Sequence, residues 1–119
     1  MLARFAILLT CLVSSIYASP LFADKYHPIV IWHGLGDSAY SEGMQSLASQ
    51  MREAFPGIYV HLISLTEDLA SDQKAGFLGN VNTQIEKVCQ DLEQVKELKS
   101  GFDAIGFSQG GKSMIDKRV

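Results

Sequence analysis

Short apolar runs alternate along the chain with longer amphipathic stretches, and that alternation predicts an architecture before any single residue is considered. Pro28-Ile29-Val30-Ile31-Trp32 is a continuous apolar run, β-branched at its centre and bounded by proline and glycine, which predicts a strand buried on both faces. Met44, Leu47, Ala48, Met51 and Phe55 then recur at helical spacing, with Ser41 as N-cap and Pro56-Gly57 as the stop. Ile58 to Ile63 predicts a second strand. Residues 66–79 carry no clear period, and Gly76 and Gly79 break any long helix there. Val81, Ile85, Val88, Leu92, Val95 and Lys99 step by four and three, predicting one amphipathic helix with Glu86, Lys87, Asp91, Glu93, Lys96 and Glu97 on its polar side. Gly101 closes it, and Phe102 to Gly106 predicts a third strand. The order strand, loop, helix, strand, helix, strand implies an α/β fold whose parallel sheet is joined by right-handed crossovers.

The first 23 residues stand outside that pattern. Arg4 supplies a short positive region, Phe5 to Val13 is apolar, and Ser14, Ser15, Ala18 and Ser19 are small, which together predict a secretory signal peptide cleaved after about Ala18 or Ala23. The apolar run falls well short of the roughly 20 residues that span a bilayer, so no stable membrane anchor is expected after cleavage. Cleavage removes Cys11 and leaves Cys89 unpaired in a chain bound for an oxidising compartment.

Composition narrows the class. With 47% hydrophobic and 19% charged residues the chain is globular rather than disordered. Its net charge of −3 and scattered basic residues exclude nucleic acid as an expected partner. A parallel sheet covered on both faces usually needs roughly 200 residues or more. The 119 residues here are therefore expected to supply the N-terminal half of such a sheet, with 24–119 as a partial domain.

Two motifs carry chemistry. Gly106-Phe107-Ser108-Gln109-Gly110 is a Gly-x-Ser-x-Gly pentapeptide placed after a predicted strand and before helix-compatible residues. A serine on so tight a turn sits in strained backbone, and Gly106 and Gly110 let the chain pass close beneath it. The turn lifts Oγ out of the sheet and points a new helix N-terminus at the place where an oxyanion forms. His33-Gly34-Leu35-Gly36 is a glycine-rich loop leaving the first strand, where an α/β hydrolase places its second oxyanion donor. Ser108 is thus the expected nucleophile, with the backbone N–H groups of Leu35 and Gln109 as oxyanion donors. Both motifs converge on the carboxyl edge of one sheet, where open α/β sheets bind ligands.

The general base is harder to place. In this fold the chain order is serine, then acid, then histidine. His27, His33, His61, Asp37 and Asp103 all precede Ser108, and only Asp116 follows it. His27 is expected at the surface, His61 packed within a strand, and His33 orienting the oxyanion loop by hydrogen bonding.

Taken with Phe55-Pro56-Gly57-Ile58-Tyr59-Val60, Asn80-Val81-Asn82-Thr83-Gln84 and Val88-Cys89-Gln90, these motifs resemble the palmitoyl-protein thioesterase family in order and spacing from about Pro28 to Gly111. The resemblance implies an α/β-hydrolase fold and hydrolysis of the thioester joining palmitate or another long-chain acyl group to protein cysteines. Substrates would be S-acylated proteins or peptides, the compartment lysosomal or extracellular, and no cofactor or metal is called for. It also implies that Cys89 pairs in a disulfide with a cysteine beyond Val119. Two departures stand out. Ser38-Ala39 replaces cysteines of the family, and Lys112 to Val119 is polar where the family continues in a long apolar helix. Those departures make a truncated product, inactive by itself for want of a downstream Asp and His, the expectation here. The cytosolic acyl-protein thioesterases, which share both catalytic motifs, and a non-catalytic fragment are the alternatives.

Overall fold

The computed structural model describes residues 25–117, so the expected signal peptide lies outside the described residues. Three parallel strands form the sheet: β1 (Ile29–Trp32), β2 (Val60–Ile63) and β3 (Asp103–Gly106). Their spatial order is β2-β1-β3, so β1 is central and pairs on both sides. The register sets Ile29 level with Val60 and Asp103, and Trp32 level with Ile63 and Gly106. The helices are α1 (Glu42–Ala54), α2 (Leu69–Leu78), α3 (Val81–Glu93) and α4 (Gln109–Lys117), with a 3-10 turn at Lys96–Leu98. This is the parallel α/β arrangement that the apolar pattern predicts.

Strand alternation divides the core in two. Val30 and Trp32 face one side with Ile63, Leu65, Ile85, Val88, Leu92 and Leu98, under α3. Ile31 faces the other with Met44, Ala48, Ile58 and Val60, under α1. Burial on both faces is why β1 reads as a continuous apolar run rather than an alternating one. Ser41 caps α1 by accepting from the Met44 N–H at 3.3 Å, as the sequence predicts. Cys89 packs half-buried beside the α3 core and is unpaired among the described residues.

Two expectations need correction. The stretch 66–79, unassigned from its pattern, holds α2. Asp68 starts it by accepting from the Ser71 N–H at 3.0 Å, and the helix runs through Gly76 to end at Gly79. The long helix expected from Val81 to Lys99 stops at Glu93. The Gln94 N–H turns back to Asp91 and Leu92, Val95 becomes extended, and a 3-10 turn follows. That unwinding drives Leu98, not Lys99, into the core. The strands also begin one or two residues later than their apolar runs.

His27 is a surface residue at the amino end of the sheet, 4.0 Å from Asp103, both side chains largely exposed. His61 sits on β2, stacked on Tyr59 with ring centroids 6.4 Å apart. Burial pushes its imidazole below the usual value of 6.5, an effect that Asp91 partly opposes. The unfolded ring therefore takes up a proton before the folded one does. Its stabilising contribution is present above about pH 6.5 and is lost as pH falls through the lowered folded value. Urea midpoints measured from pH 7.5 down to 5 should fall less steeply in His61→Gln than in the parent chain. Parallel slopes would contradict this placement of His61.

Candidate active site

At the carboxyl edge of the sheet, β3 ends at Gly106 and α4 begins at Gln109. Only Phe107 and Ser108 separate them, and Ser108 has φ 51°, the left-handed region that a side-chain-bearing residue adopts at a cost of about 1–2 kcal/mol. Among the described residues no other non-glycine has positive φ. The turn is held from both ends: the Phe107 N–H donates to the Trp32 carbonyl at 2.9 Å, and the Lys112 N–H donates to the Ser108 carbonyl at 3.2 Å.

The glycines of the motif answer to close approach. A Cβ on Gly110 would lie 2.6 Å from both the Trp32 and His33 carbonyl oxygens, and one on Gly106 would strike the backbone of Gly111. The first turn of α4 can therefore lie against the exit of β1 only without side chains at these points. Gly34 sits beside the Ser108 turn, where a Cβ would stand 3.5 Å from Ser108 Cβ. Gly36, with φ 76°, lies under the ring of Phe77 from α2.

Leu35, Ser108 and Gln109 are brought together as walls of one open cleft of about 640 Å³, with Val81, Lys112 and Ser113. Among the described residues nothing accepts a hydrogen bond from the Leu35 or Gln109 backbone N–H. Ser108 is exposed, and Leu35 is half exposed at 52%. The arrangement places one exposed hydroxyl and two amides without described acceptors on the lining of one cleft.

His33 is buried, 3% exposed, and both ring nitrogens face fixed groups. Nδ1 lies 3.0 Å from the Gly34 carbonyl, which can only accept, so Nδ1 carries a proton. Nε2 stands 3.3 Å from Asp72 Oδ2, within ion-pair range but off the line of a hydrogen bond. The ring lies between the Gly34 carbonyl of its own loop and Asp72 of α2.

Asp72 is the residue that sequence reasoning missed. It is fully buried on α2, and Oδ1 accepts from the Leu65 N–H at 2.6 Å. Oδ2 accepts from the Ser38 hydroxyl at 2.8 Å and the Ala39 N–H at 3.0 Å. Ser38 is thus a buried structural group that also accepts from the Tyr40 N–H at 3.0 Å. The one sequence signal was an acid in a stretch without period, which is too common to single out.

The comparisons with known proteins agree on one family. The model for "Palmitoyl protein thioesterase" matches residues 28–114. A palmitoyl-protein thioesterase 1 from Caenorhabditis elegans is 37% identical over 92% of this chain and 37% of its own length. A palmitoyl-protein thioesterase-dolichyl pyrophosphate phosphatase fusion from Schizosaccharomyces pombe is 36% identical over 75% of the chain and 14% of its own length. A palmitoyl-protein thioesterase 3 from Dictyostelium discoideum is 29% identical over 87% of the chain and 34% of its own length. The chain thus spans about a third, or less, of the length of these relatives.

The strain at Ser108 is testable without any assay of activity. Ser108→Ala keeps a Cβ at φ 51°, whereas Ser108→Gly releases it. The glycine variant should be the more stable of the two by about 1 kcal/mol in urea unfolding. Equal stabilities, or a more stable alanine variant, would show that the turn is unstrained.

Proposed function

The chain belongs to the palmitoyl protein thioesterase family, and on that premise we propose that it carries the nucleophile and oxyanion donors of a serine thioesterase acting on S-acylated proteins. The observation that carries this reading is the left-handed Ser108 between β3 and α4, facing the same cleft as Leu35 and Gln109.

In the proposed reaction Ser108 Oγ attacks the thioester carbonyl carbon and gives up its proton to a base. The carbonyl oxygen becomes an oxyanion that accepts from the Leu35 and Gln109 N–H groups. Collapse breaks the C–S bond. The cysteine thiol leaves easily, because its pKa near 8.5 demands little protonation in the transition state. Water then hydrolyses the acyl-serine by the reverse proton path and releases a fatty acid. No cofactor enters.

None of the three histidines is placed to be the base. His27 precedes β1, and the strands of four residues set it about 13 Å from the end where Ser108 sits. His61 is level with Ala104 in register and two strands across from it, about 10 Å away. His33 bonds the Gly34 carbonyl through Nδ1, and its Nε2 faces Asp72 rather than an open cleft. The base is therefore assigned to a part of the thioesterase domain outside these residues, and Ser108 without it remains a weak nucleophile.

A chimera tests the reading: residues 28–114 set into the matching segment of the C. elegans relative. It should hydrolyse a palmitoyl thioester, and Ser108→Ala in it should lower turnover at least about a thousandfold. The 119-residue chain by itself should match its own Ser108→Ala variant. A chimera indifferent to Ser108 would end the nucleophile assignment. Ser108-dependent turnover by the short chain would make one of its own histidines the base.

A further inference from the structure

The cleft at Ser108 has an asymmetry that the hydrolysis scheme does not use. Leu35 and Val81 make part of its wall apolar, at 52% and 40% exposed. Of the six residues lining it, Lys112 alone bears a charge. Lys112 is four residues beyond Ser108, and its backbone N–H donates to the Ser108 carbonyl, so the two side chains stand on one face of the helix start. Its exposed ammonium makes no ion pair among the described side chains. The N-terminal end of α4 adds its own partial positive charge at the same point.

An apolar wall beside an exposed ammonium that no described side chain pairs, and two amides that donate to no described group, suits an amphiphile whose polar end is negative. A neutral thioester offers the ammonium a carbonyl acceptor but no charge. The carboxylate that hydrolysis would release offers a full charge where the thioester carbonyl was. We propose that Lys112 is a charge-selecting residue that makes this cleft hold a long-chain fatty-acid anion in preference to an uncharged ligand of the same chain length. The chain lies on Leu35 and Val81, and the carboxylate lies between Lys112 and the amides of Leu35 and Gln109. Product would then leave more slowly than its apolar contacts alone require. The identity of the acyl ligand rests on the reading above, whereas the charge preference rests on Lys112 and the cleft.

Binding of laurate and of 1-dodecanol to the 119-residue chain, each below its aggregation limit and followed by amide shifts of Leu35 and Gln109, tests this directly. Laurate should bind about three- to fivefold more tightly, the range a single partly exposed ion pair supports, and the margin should shrink as salt rises. Lys112→Gln should abolish the margin and Lys112→Arg should retain it. Equal binding of the two ligands, a margin that survives in Lys112→Gln, or no shift at Leu35 and Gln109 with either ligand would each overturn the proposal. The assay involves no turnover, so a chain that hydrolyses nothing can pass it and an active one can fail it.

Discussion

Asp72 reaches from α2 to the exit of β2 and to the loop that leaves β1, and its two oxygens accept from Leu65, Ser38 and Ala39. A carboxylate taken wholly out of water costs several kcal/mol unless donors meet it on all sides. Here two backbone amides and one hydroxyl do so, and hydrogen bonds to a charged group contribute about 1.5–3 kcal/mol each. The three donors come from segments that share no secondary-structure ladder. Without a common acceptor they would have to find water inside the protein. The carboxyl edge of the sheet can therefore be shaped as observed only while Asp72 stays in place, and His33 Nε2 stands 3.3 Å from the same oxygen.

The site inherits its geometry from that clamp on one side and from the Ser108 turn on the other. Gly110 lies against the carbonyls of Trp32 and His33, so α4 is pressed onto the loop that Asp72 fixes. Leu35 falls between the two anchors and lines the same cleft as Gln109, and among the described residues its amide donates to no group. A left-handed serine is unfavourable in isolation, and here it shares one cleft with two amides that donate to no described group. The proposed thioesterase reading is the use that the family relationship supplies for it.

The sheet, α1 and the tight turn at Ser108 were legible because each is written in local terms: an apolar run, a helical period, a cap, a glycine pair around a serine. The end of α3 was not, since Val95 keeps the helical period in sequence while its backbone turns extended to bury Leu98. Nor was α2, whose start depends on Asp68 as a cap and whose apolar residues Leu69, Phe77 and Leu78 stay exposed. Asp72 and Ser38 were invisible for a different reason. They meet across 34 residues of chain, and neither residue type carries a periodic signal of burial.

The clamp is tested most directly by backbone amide hydrogen exchange in Asp72→Asn, a near-isosteric change that leaves one acceptor oxygen where there were two. Exchange at Leu65 and Ala39 should be slow in the parent chain and at least about tenfold faster at one or both in the variant, with Ile31 in β1 unchanged. Unaltered protection at both amides would contradict the account, because the carboxyl edge would then be holding its shape without the carboxylate.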